Sequence, residues 1–504
     1  MMPENQMKPG YFLAALLDGV AQVTVADDVQ ITGLSLKAQA VVPGDLFLAV
    51  AGHRTHGLHY MDEALTRGAT AVVWEPNGDI WPAAATSRAP IIAIENLSRR
   101  LGLIADRFFG HPSHNLTMIG VTGTDGKTSV SHFLAHALNE SSKRCGLIGT
   151  LGYGLYGRLS AGEYTTPNAI RLHAELARIR AQGASSVVME VSSHALAQHR
   201  IDGVAMDVAI LTNLTRDHLD YHESSAAYAA AKRRLFQMPE LGHVVVNIND
   251  PFGRELAESL GHKVDTVAYG YSGSPPLACQ TVWATEIQSA FSGMRFKVQT
   301  PHGSGVIESA LLGRFNVGNL LAALAALLVL GMPLPRALAR LSNTRSAPGR
   351  MERHGGGQKP IVVVDYAHTP AALAQVLIAL REHCCGRLWC VFGCGGDRDT
   401  GKRSLMAQVA ERHADEAIVT DDNPRNEPPT VIINDILNGF SNRIAVRVIH
   451  DRAEAISHAV AQACVGDIVL VAGKGHEQVQ IVGGKQRPFN DRQQVEQWLG
   501  EHWS

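Results

Sequence analysis

The sequence of 504 residues lacks several things, and each absence narrows its role. Its formal net charge is only −2 at pH 7. It therefore has no excess of either sign to draw it to nucleic acid or to an acidic membrane. No apolar run is long enough to span a bilayer. The longest, such as LLAALAALLVLGM from Leu320, stop well short. The start has no charged segment leading into an apolar one, so no secretory signal is expected. The chain has only seven cysteines, an odd number, and they read as free thiols of a reducing cytoplasm. Cys384, Cys385, Cys390 and Cys394 cluster, but no histidine pair sits at finger spacing and Cys390 lies in an apolar run. There is no internal repeat, low-complexity tract or heptad pattern.

What is present is an ordinary globular composition, 45% hydrophobic and 18% charged, in a chain long enough for about three domains. Two segments read as linkers, HPSHN at 111–115 and TRSAPGR at 344–350. They divide the chain into 1–110, 111–345 and 346–504. In the first part LFLAV, ATAVVWE and PIIAIEN are strand-like. In the other two, eight apolar runs each end in a polar cluster. MIGV enters TGTDGKT, SVVMEV enters SSHALAQHR, VAILTN enters LTRDHLDYH and HVVVNI enters NDP. IVVVDY enters AHTP, LWCVF enters GCGGDRDTGKR, EAIVTD enters DNPRNE and DIVLVAG enters KGHE. Apolar strands alternating with helices predict parallel sheets covered on both faces, with ligands at the carboxyl ends of the strands.

GVTGTDGKTSV, from Gly120 to Val130, has the form strand, Gly-rich loop, helix. It is shorter than the common G-x-x-x-x-G-K-[ST] phosphate loop, because position 121 is valine. Backbone N–H groups and a helix N-terminus would still attract an anion there. Lys127 would reach the terminal phosphates and Thr128 would ligate Mg²⁺. A Gly-rich turn with an exposed lysine is the ordinary alternative. Glu190 and His218 stand at strand ends, where they could hold a divalent ion or be a surface acid and a loop histidine. Lys232, in YAAAKRRLF, reads by itself as a solvated helix lysine, and the pairing of Arg233 and Arg234 beside it as an ordinary basic face.

Taken in order, GTDGKTS, YTTP, MEVSSHALAQHR, TNLTRDHLDYH, YAAAKRRLF, GRFNVGNLLAA, SAPGRME, VVDYAHTP, GCGGDRDTGKR, DNPRNE and AGKGHE resemble the motifs of the Mur ligases. The likeness spans nearly the whole chain. The short G-T-x-G-K-[ST] loop is that family's version. The resemblance implies a three-domain α/β fold. A central P-loop mononucleotide-binding parallel sheet would be flanked by a smaller N-terminal α/β domain for the UDP-substrate and a C-terminal Rossmann-like α/β domain for the amino acid. It implies an ATP- and Mg²⁺-dependent ligase that extends UDP-N-acetylmuramoyl-L-alanyl-D-glutamate in peptidoglycan precursor synthesis. The DNPR motif implies meso-diaminopimelate rather than lysine as the residue added. A cytoplasmic monomer with small-molecule substrates, and no nucleic acid or membrane partner, is expected.

Carried onto this sequence, the resemblance assigns ATP to Gly123, Thr124, Asp125, Gly126, Lys127, Thr128, Ser129, Asn316, Asn319, Arg350 and Asp365. Lys127, Glu190, His218 and Lys232 become catalytic. Thr128, Glu190, His218 and Lys232 would hold the metal, with Lys232 carbamylated to N6-carboxylysine. Leu36, Ala38, His53, Arg54, Thr55, Thr165, Thr166, Ser192, Gln198 and Arg200 would contact the UDP-substrate. Arg398, Asp422, Asn423, Pro424, Arg425, Gly473 and Glu477 would bind diaminopimelate. Arg425 alone could equally be a solvent-facing turn residue after Pro424.

Three motifs depart from the family pattern. Its D-S-R triplet is Lys37, Ala38, Gln39 here, Tyr164 replaces an asparagine before TTP, and Asp125 stands where asparagine is common. A paralogous ligase for another carboxylate carrier, or a nucleotide-binding relative without catalysis, are the alternatives these departures leave.

Overall fold

The computed structural model describes residues 10–52, 55–77, 89–215, 217–261, 264–271, 273 and 280–503. Two compact units are present. One comprises 1–122, 138–209 and 216–242; the other comprises 123–137, 210–215 and 243–504.

The first unit contains a sheet of four parallel strands, Gly33–Ser35, Asp45–Ala49, Ala71–Trp74 and Ile91–Ala93, in sequence order across the sheet. Strand periodicity sends alternate side chains to opposite faces. Leu46 and Leu48 enter one core with Leu97, Leu101 and Ile104 of helix Leu97–Phe108. Phe47 and Ala49 enter another with Leu58 and Met61. In the same unit Ala184–Glu190 lies between Thr117–Thr122 and Arg144–Gly149, parallel to both. Beyond Arg144–Gly149 the strands turn antiparallel, through Gly152–Leu155 to Arg158–Ser160.

In the second unit His243–Asn247, Asp265–Gly270 and Gln280–Ala290 are parallel neighbours. A meander of Gln280–Ala290, Gly293–Thr300 and Gly303–Ser309 then runs antiparallel. The central sheet is thus mixed where the sequence reading expects it parallel. The reason is in the pattern: alternate residues of Gly293–Thr300 are exposed, as in a strand with one wet face. The longest apolar run of the sequence becomes helix Phe315–Val329, buried from Asn316 to Leu328. A helix apolar all round belongs in a core or a membrane, and this one belongs to a core. Among the described residues no helix is long and apolar enough to cross a membrane.

The last part of the second unit is a six-stranded sheet. Its order is Glu352–Gly355, Ile361–Asp365, Ile468–Ala472, Leu388–Phe392, Glu416–Val419, Arg447–Val448. Only Glu352–Gly355 is antiparallel to its neighbour. Ile361, Val363, Leu388, Cys390 and Phe392 face one core, while Val362, Val364, Trp389 and Val391 face the other. Helices cover both sides, so the strands can be apolar throughout. Cys390 and Cys394 are packed into the first of these cores.

Candidate functional site

Three clusters of polar groups stand at strand ends, two in the second unit and one in the first.

The glycine loop follows strand Thr117–Thr122 and leads into helix Lys127–Leu138. Gly123 has φ 149° and Gly126 has φ 81°, a region that L side chains rarely adopt. A Cβ on Gly123 would strike the Thr212 hydroxyl, and one on Gly126 the Asn319 amide oxygen. The loop is clamped by the segment after Val208–Leu211. The Asn213 carbonyl accepts from Thr124 N–H at 3.0 Å, and Asn213 Oδ1 accepts from Asp125 N–H at 2.9 Å. The Thr212 hydroxyl donates to the Asp125 carbonyl at 2.6 Å. Lys127 Nζ donates to the carbonyls of Gly123 and Thr124 at 2.9 and 2.8 Å. Its charge therefore lies over the loop. Thr128 is buried in the first helical turn, Ser129 is half-buried and the Asp125 side chain is exposed.

Asn316 and Asn319 are both buried. Asn316 Nδ2 donates to the Leu312 carbonyl and Asn319 Nδ2 to Asn316 Oδ1, each at 2.8 Å. Asn319 thereby lies against Gly126, next to the loop.

In the first unit Glu190 ends strand Ala184–Glu190 and is 2% exposed. Its Oε1 accepts from the Thr150 N–H at 2.8 Å and its Oε2 from the Thr150 hydroxyl at 3.2 Å. The Thr150 and Thr165 hydroxyls are 3.0 Å apart. The Thr166 hydroxyl donates to the Glu190 carbonyl at 2.7 Å and accepts from Ser192 N–H at 3.1 Å. Ser192 Oγ in turn caps helix Ser193–Ala197. Arg200 donates to the Thr166 carbonyl at 2.8 Å and to Gln198 Oε1 at 2.9 and 2.6 Å. Its guanidinium lies 5.1 Å from the centre of the Tyr164 ring. Tyr164 thus offers an aromatic face in place of the expected amide. The structure brings Thr165, Thr166, Ser192, Gln198 and Arg200 into one network with Glu190.

His218 and Lys232 meet a shared group of rings. His218 has φ 52°, a strained setting for a residue with a Cβ. Its ring is 4.8 Å from that of His194 and 6.1 Å from that of Tyr228. Lys232 is 1% exposed, with Nζ 4.5 Å over the Tyr228 ring. This corrects the reading of Lys232 as a solvated helix lysine. Helix Ser225–Arg233 turns that residue inward.

Less of the expected uridine contact is visible. His53 and Arg54 lie outside the described residues. Leu36 is half-buried, Ala38 is buried at the start of the turn Ala38–Ala40, and Thr55 is exposed. The sequence reading overlooked Ser35. Its hydroxyl donates to the Lys37 carbonyl at 2.9 Å and accepts from the Lys37 N–H at 3.4 Å. It sets the turn where the family triplet would stand.

The third cluster gathers at the carboxyl ends of Ile361–Asp365, Leu388–Phe392, Glu416–Val419 and Ile468–Ala472. Asp365 Oδ1 and Oδ2 accept from Ala367 and Met351 N–H at 2.8 and 2.7 Å. Burial raises its pKa, against the opposing pull of the Arg350 charge. The Arg350 guanidinium packs 4.8 Å from the centre of the Tyr366 ring. Asp422 is also buried, and burial pushes its carboxyl up while Arg452 and Lys474 oppose. Gly473, at φ 116°, leaves room for Asp422 Oδ2, 2.5 Å from where a Cβ would sit.

Asn423 is the hub. Its Oδ1 accepts from Lys474 Nζ and from Ile481 N–H, each at 3.0 Å, and its Nδ2 donates to Glu477 Oε2 at 2.9 Å. Lys474 Nζ also lies 2.9 Å from that carboxylate. Burial would raise the Glu477 pKa, but the hydrogen bond and charge of Lys474 win and lower it. Arg425 has φ 56°. It is pinned by its N–H to the Ile481 carbonyl at 2.9 Å and by Nη1 to the Gly396 carbonyl at 2.8 Å. The half-buried Arg425 is thus no free turn residue. Pro424 is buried beside Gly396, and Arg398 is exposed; both Arg398 and Arg425 border Gly395. Two guanidinium groups and two carboxylates around an amide can read a zwitterion with an extra carboxylate. Lys474, which the sequence reading left unassigned, is fully buried at the centre. Its signal was the GKGHE motif itself, whose lysine lies three residues before Glu477.

Family models match in three places. One described as Mur ligase family, catalytic domain, matches 30–109; the Mur ligase middle domain matches 121–327; and Mur ligase, glutamate ligase domain, matches 349–475. A relative named UDP-N-acetylmuramoyl-L-alanyl-D-glutamate--2,6-diaminopimelate ligase, from Pseudomonas aeruginosa, is 50% identical over 474 residues, covering 94% of this chain and 96% of its own. A relative of the same name from Coxiella burnetii is 48% identical over 490 residues, covering 97% and 100%. A solved structure of an enzyme of that name superposes with a TM-score of 0.73 at 34% identity, covering 98% of this chain and 100% of its own. MurF ligase from Thermotoga maritima, solved with ADP, is similar in fold, with a TM-score of 0.61 at 19% identity, covering 93% and 97%.

Proposed function

The chain belongs to the Mur ligase family, and from that premise we propose that it joins meso-diaminopimelate to the D-glutamate carboxylate of UDP-N-acetylmuramoyl-L-alanyl-D-glutamate, with ATP cleaved to ADP and phosphate. The carboxylate takes the γ-phosphoryl group and ADP leaves. The diaminopimelate amine then attacks the acyl phosphate, the tetrahedral intermediate loses phosphate, and an amide remains. This supplies a peptidoglycan precursor. The observation that carries the choice of amino acid is the cluster of Arg398 and Arg425 beside Asn423, Asp422 and Glu477. A site built to pair a second carboxylate discriminates against lysine, which has none.

The assignments follow the three segments. Residues 1–110 serve the UDP end through Leu36, Ala38, His53, Arg54 and Thr55. Residues 111–345 serve ATP and the acyl group, and 346–504 the amino acid. Gly123 to Ser129 form the loop and helix N-terminus that hold the phosphates, and Lys127 neutralises them. Asn316 and Asn319 act from the adenine side, and Arg350 and Asp365 from the third segment. Thr165, Thr166, Ser192, Gln198 and Arg200 orient the muramoyl peptide. Phosphoryl transfer between anions depends on charge neutralisation and positioning rather than on a protein nucleophile.

Thr128, Glu190, His218 and a carbamate on Lys232 are mostly oxygen donors, a set that suits Mg²⁺. The ion, when bound, would offset charge on the transferring phosphoryl group. Removing an amine from water favours its uncharged form, the form that adds carbon dioxide and releases a proton. The burial of Lys232 supports that chemistry. The reading includes a monomer acting on small molecules in a cytoplasmic setting, where its nucleotide substrates are found.

The test is phosphate release from ATP and Mg²⁺ with the nucleotide dipeptide, adding meso-diaminopimelate or L-lysine in parallel. Release that needs both the dipeptide and diaminopimelate is expected. Release with a different acceptor only, or none from protein that binds ATP, would overturn the reading.

A further inference from the structure

The geometry points to a second ligand site on the first unit: Asp106, His111 and His114 form a binding site for a borderline divalent cation such as Zn²⁺. One donor atom from each lies within 4.8 Å of the other two. Asp106 is buried near the end of helix Leu97–Phe108, and the two histidines are exposed on the segment that follows. Its backbone folds them back: His111 has φ 50°, its Nδ1 is 2.6 Å from Asp106 Oδ2, and the two imidazole rings meet edge to face at 5.7 Å. Two imidazoles and a carboxylate make the protein half of an open zinc site, with water completing it. They are a poor set for Mg²⁺, which prefers oxygen. Ligation needs Nδ1 and the carboxylate oxygen about 3.3 Å apart, the edge of a tetrahedron with zinc bond lengths. The exposed His111 ring can reach that by a small rotation, its proton passing to the outward Nε2.

A second observation concerns the far side of the same carboxylate. Asp106 Oδ1 and His173 Nδ1 are 3.5 Å apart, both buried, and among the described residues neither has a hydrogen-bond partner. His173 Nε2 lies 3.3 Å from the Asp202 carbonyl. Asp106 Oδ1 is thus a buried carboxylate oxygen beside the proposed ion, and His173 stands behind it as an outer partner that would orient a metal ligand.

The bound ion would tie helix Leu97–Phe108 to residues 111–115. That helix packs on helix Ala169–Ala181, which carries His173. The ion should therefore stabilise the native state by mass action without entering the ligase reaction.

The experiment titrates the full-length protein with Zn²⁺ in excess Mg²⁺, against a chromophoric chelator, and follows thermal unfolding of the same samples. Wild type should bind one equivalent that His114→Ala lacks or binds at least about 10-fold more weakly, the smallest loss expected even for an outer partner of a ligand. The Zn²⁺-dependent rise in Tm should vanish with it. His59→Ala, an exposed histidine elsewhere, should behave as wild type. Co²⁺ at the same equivalent should show no thiolate charge-transfer band. Equal Zn²⁺ stoichiometry and affinity in wild type, His111→Ala and His114→Ala would overturn the site, as would a thiolate band. Both variants change exposed side chains, so the result does not depend on whether Asp106→Asn folds.

Discussion

Lys474 donates to the Glu477 carboxylate at 2.9 Å from a position with no solvent exposure of its own. The same ammonium reaches Asn423, so one buried charge sets the direction of two groups assigned to diaminopimelate.

Lys474→Met should uncouple that arrangement. The half-buried Glu477 would lose its counter-charge, and breaking a buried pair costs about 3 kcal/mol. The KM for diaminopimelate should rise at least about 10-fold, the equivalent of 1.4 kcal/mol, while ATP affinity stays as in wild type. Steady-state kinetics with each substrate varied and a urea midpoint measure both effects. An unchanged KM would remove Lys474 from the amino-acid site.

Lys232→Ala should lower kcat by about 100-fold or more, the scale of losing one preorganised electrostatic group. Bicarbonate should not restore activity, because no amine remains to carbamylate. Short carboxylic acids should restore part of it by entering the space left. Full activity in the variant would exclude the carbamate.

Arg425→Ala should weaken diaminopimelate use and leave nucleotide binding intact, since the arginine borders Gly395 and Gly396 in the third cluster. Arg425→Gly separates charge from conformation. It relieves a left-handed backbone strain of about 1 kcal/mol, so it should unfold later than Arg425→Ala and be as poor with diaminopimelate. An equal loss of ATP binding would mean that the motif serves the nucleotide.

His383 predicts a pH dependence. Its Nδ1–H donates to the Ala290 carbonyl at 2.7 Å and its Nε2 accepts from Gly313 N–H at 3.0 Å. Both bonds require the neutral ring, and burial holds its pKa below the usual histidine value. The unfolded chain therefore takes up a proton first as pH falls. The contribution is present above the unfolded pKa, near 6.5, and declines below it until the folded ring also protonates. His383→Gln should cost about 1–3 kcal/mol at pH 7.5. Between pH 7 and 5 its Tm should fall less than that of wild type. Parallel Tm–pH curves would remove His383 as a source of the slope.

The strand, glycine loop and helix were legible in the sequence because their pattern is local. Gly123, Gly126, Lys127 and Thr128 lie within six residues, and a strand and a helix flank them. The two-faced strands were legible for a similar reason, since the run IVVVD alone implies helices on both sides. The antiparallel meander of 280–309 was not read from the sequence. Its mark is an alternation of exposed residues rather than an apolar run.

The amino-acid sequence, then, determined the motifs, their order and the residue types available to phosphate, carboxylate and amine. The tertiary structure decided which of them became buried and paired. Nothing local distinguishes Lys232 from the neighbouring Arg233 and Arg234, but only the inward turn of its helix places its amine against Tyr228. Likewise Asp106 and His173 are 67 positions apart in the chain, and only the packing of two helices sets them face to face. Burial and opposition between distant residues depend on long-range packing, which no short stretch of sequence contains.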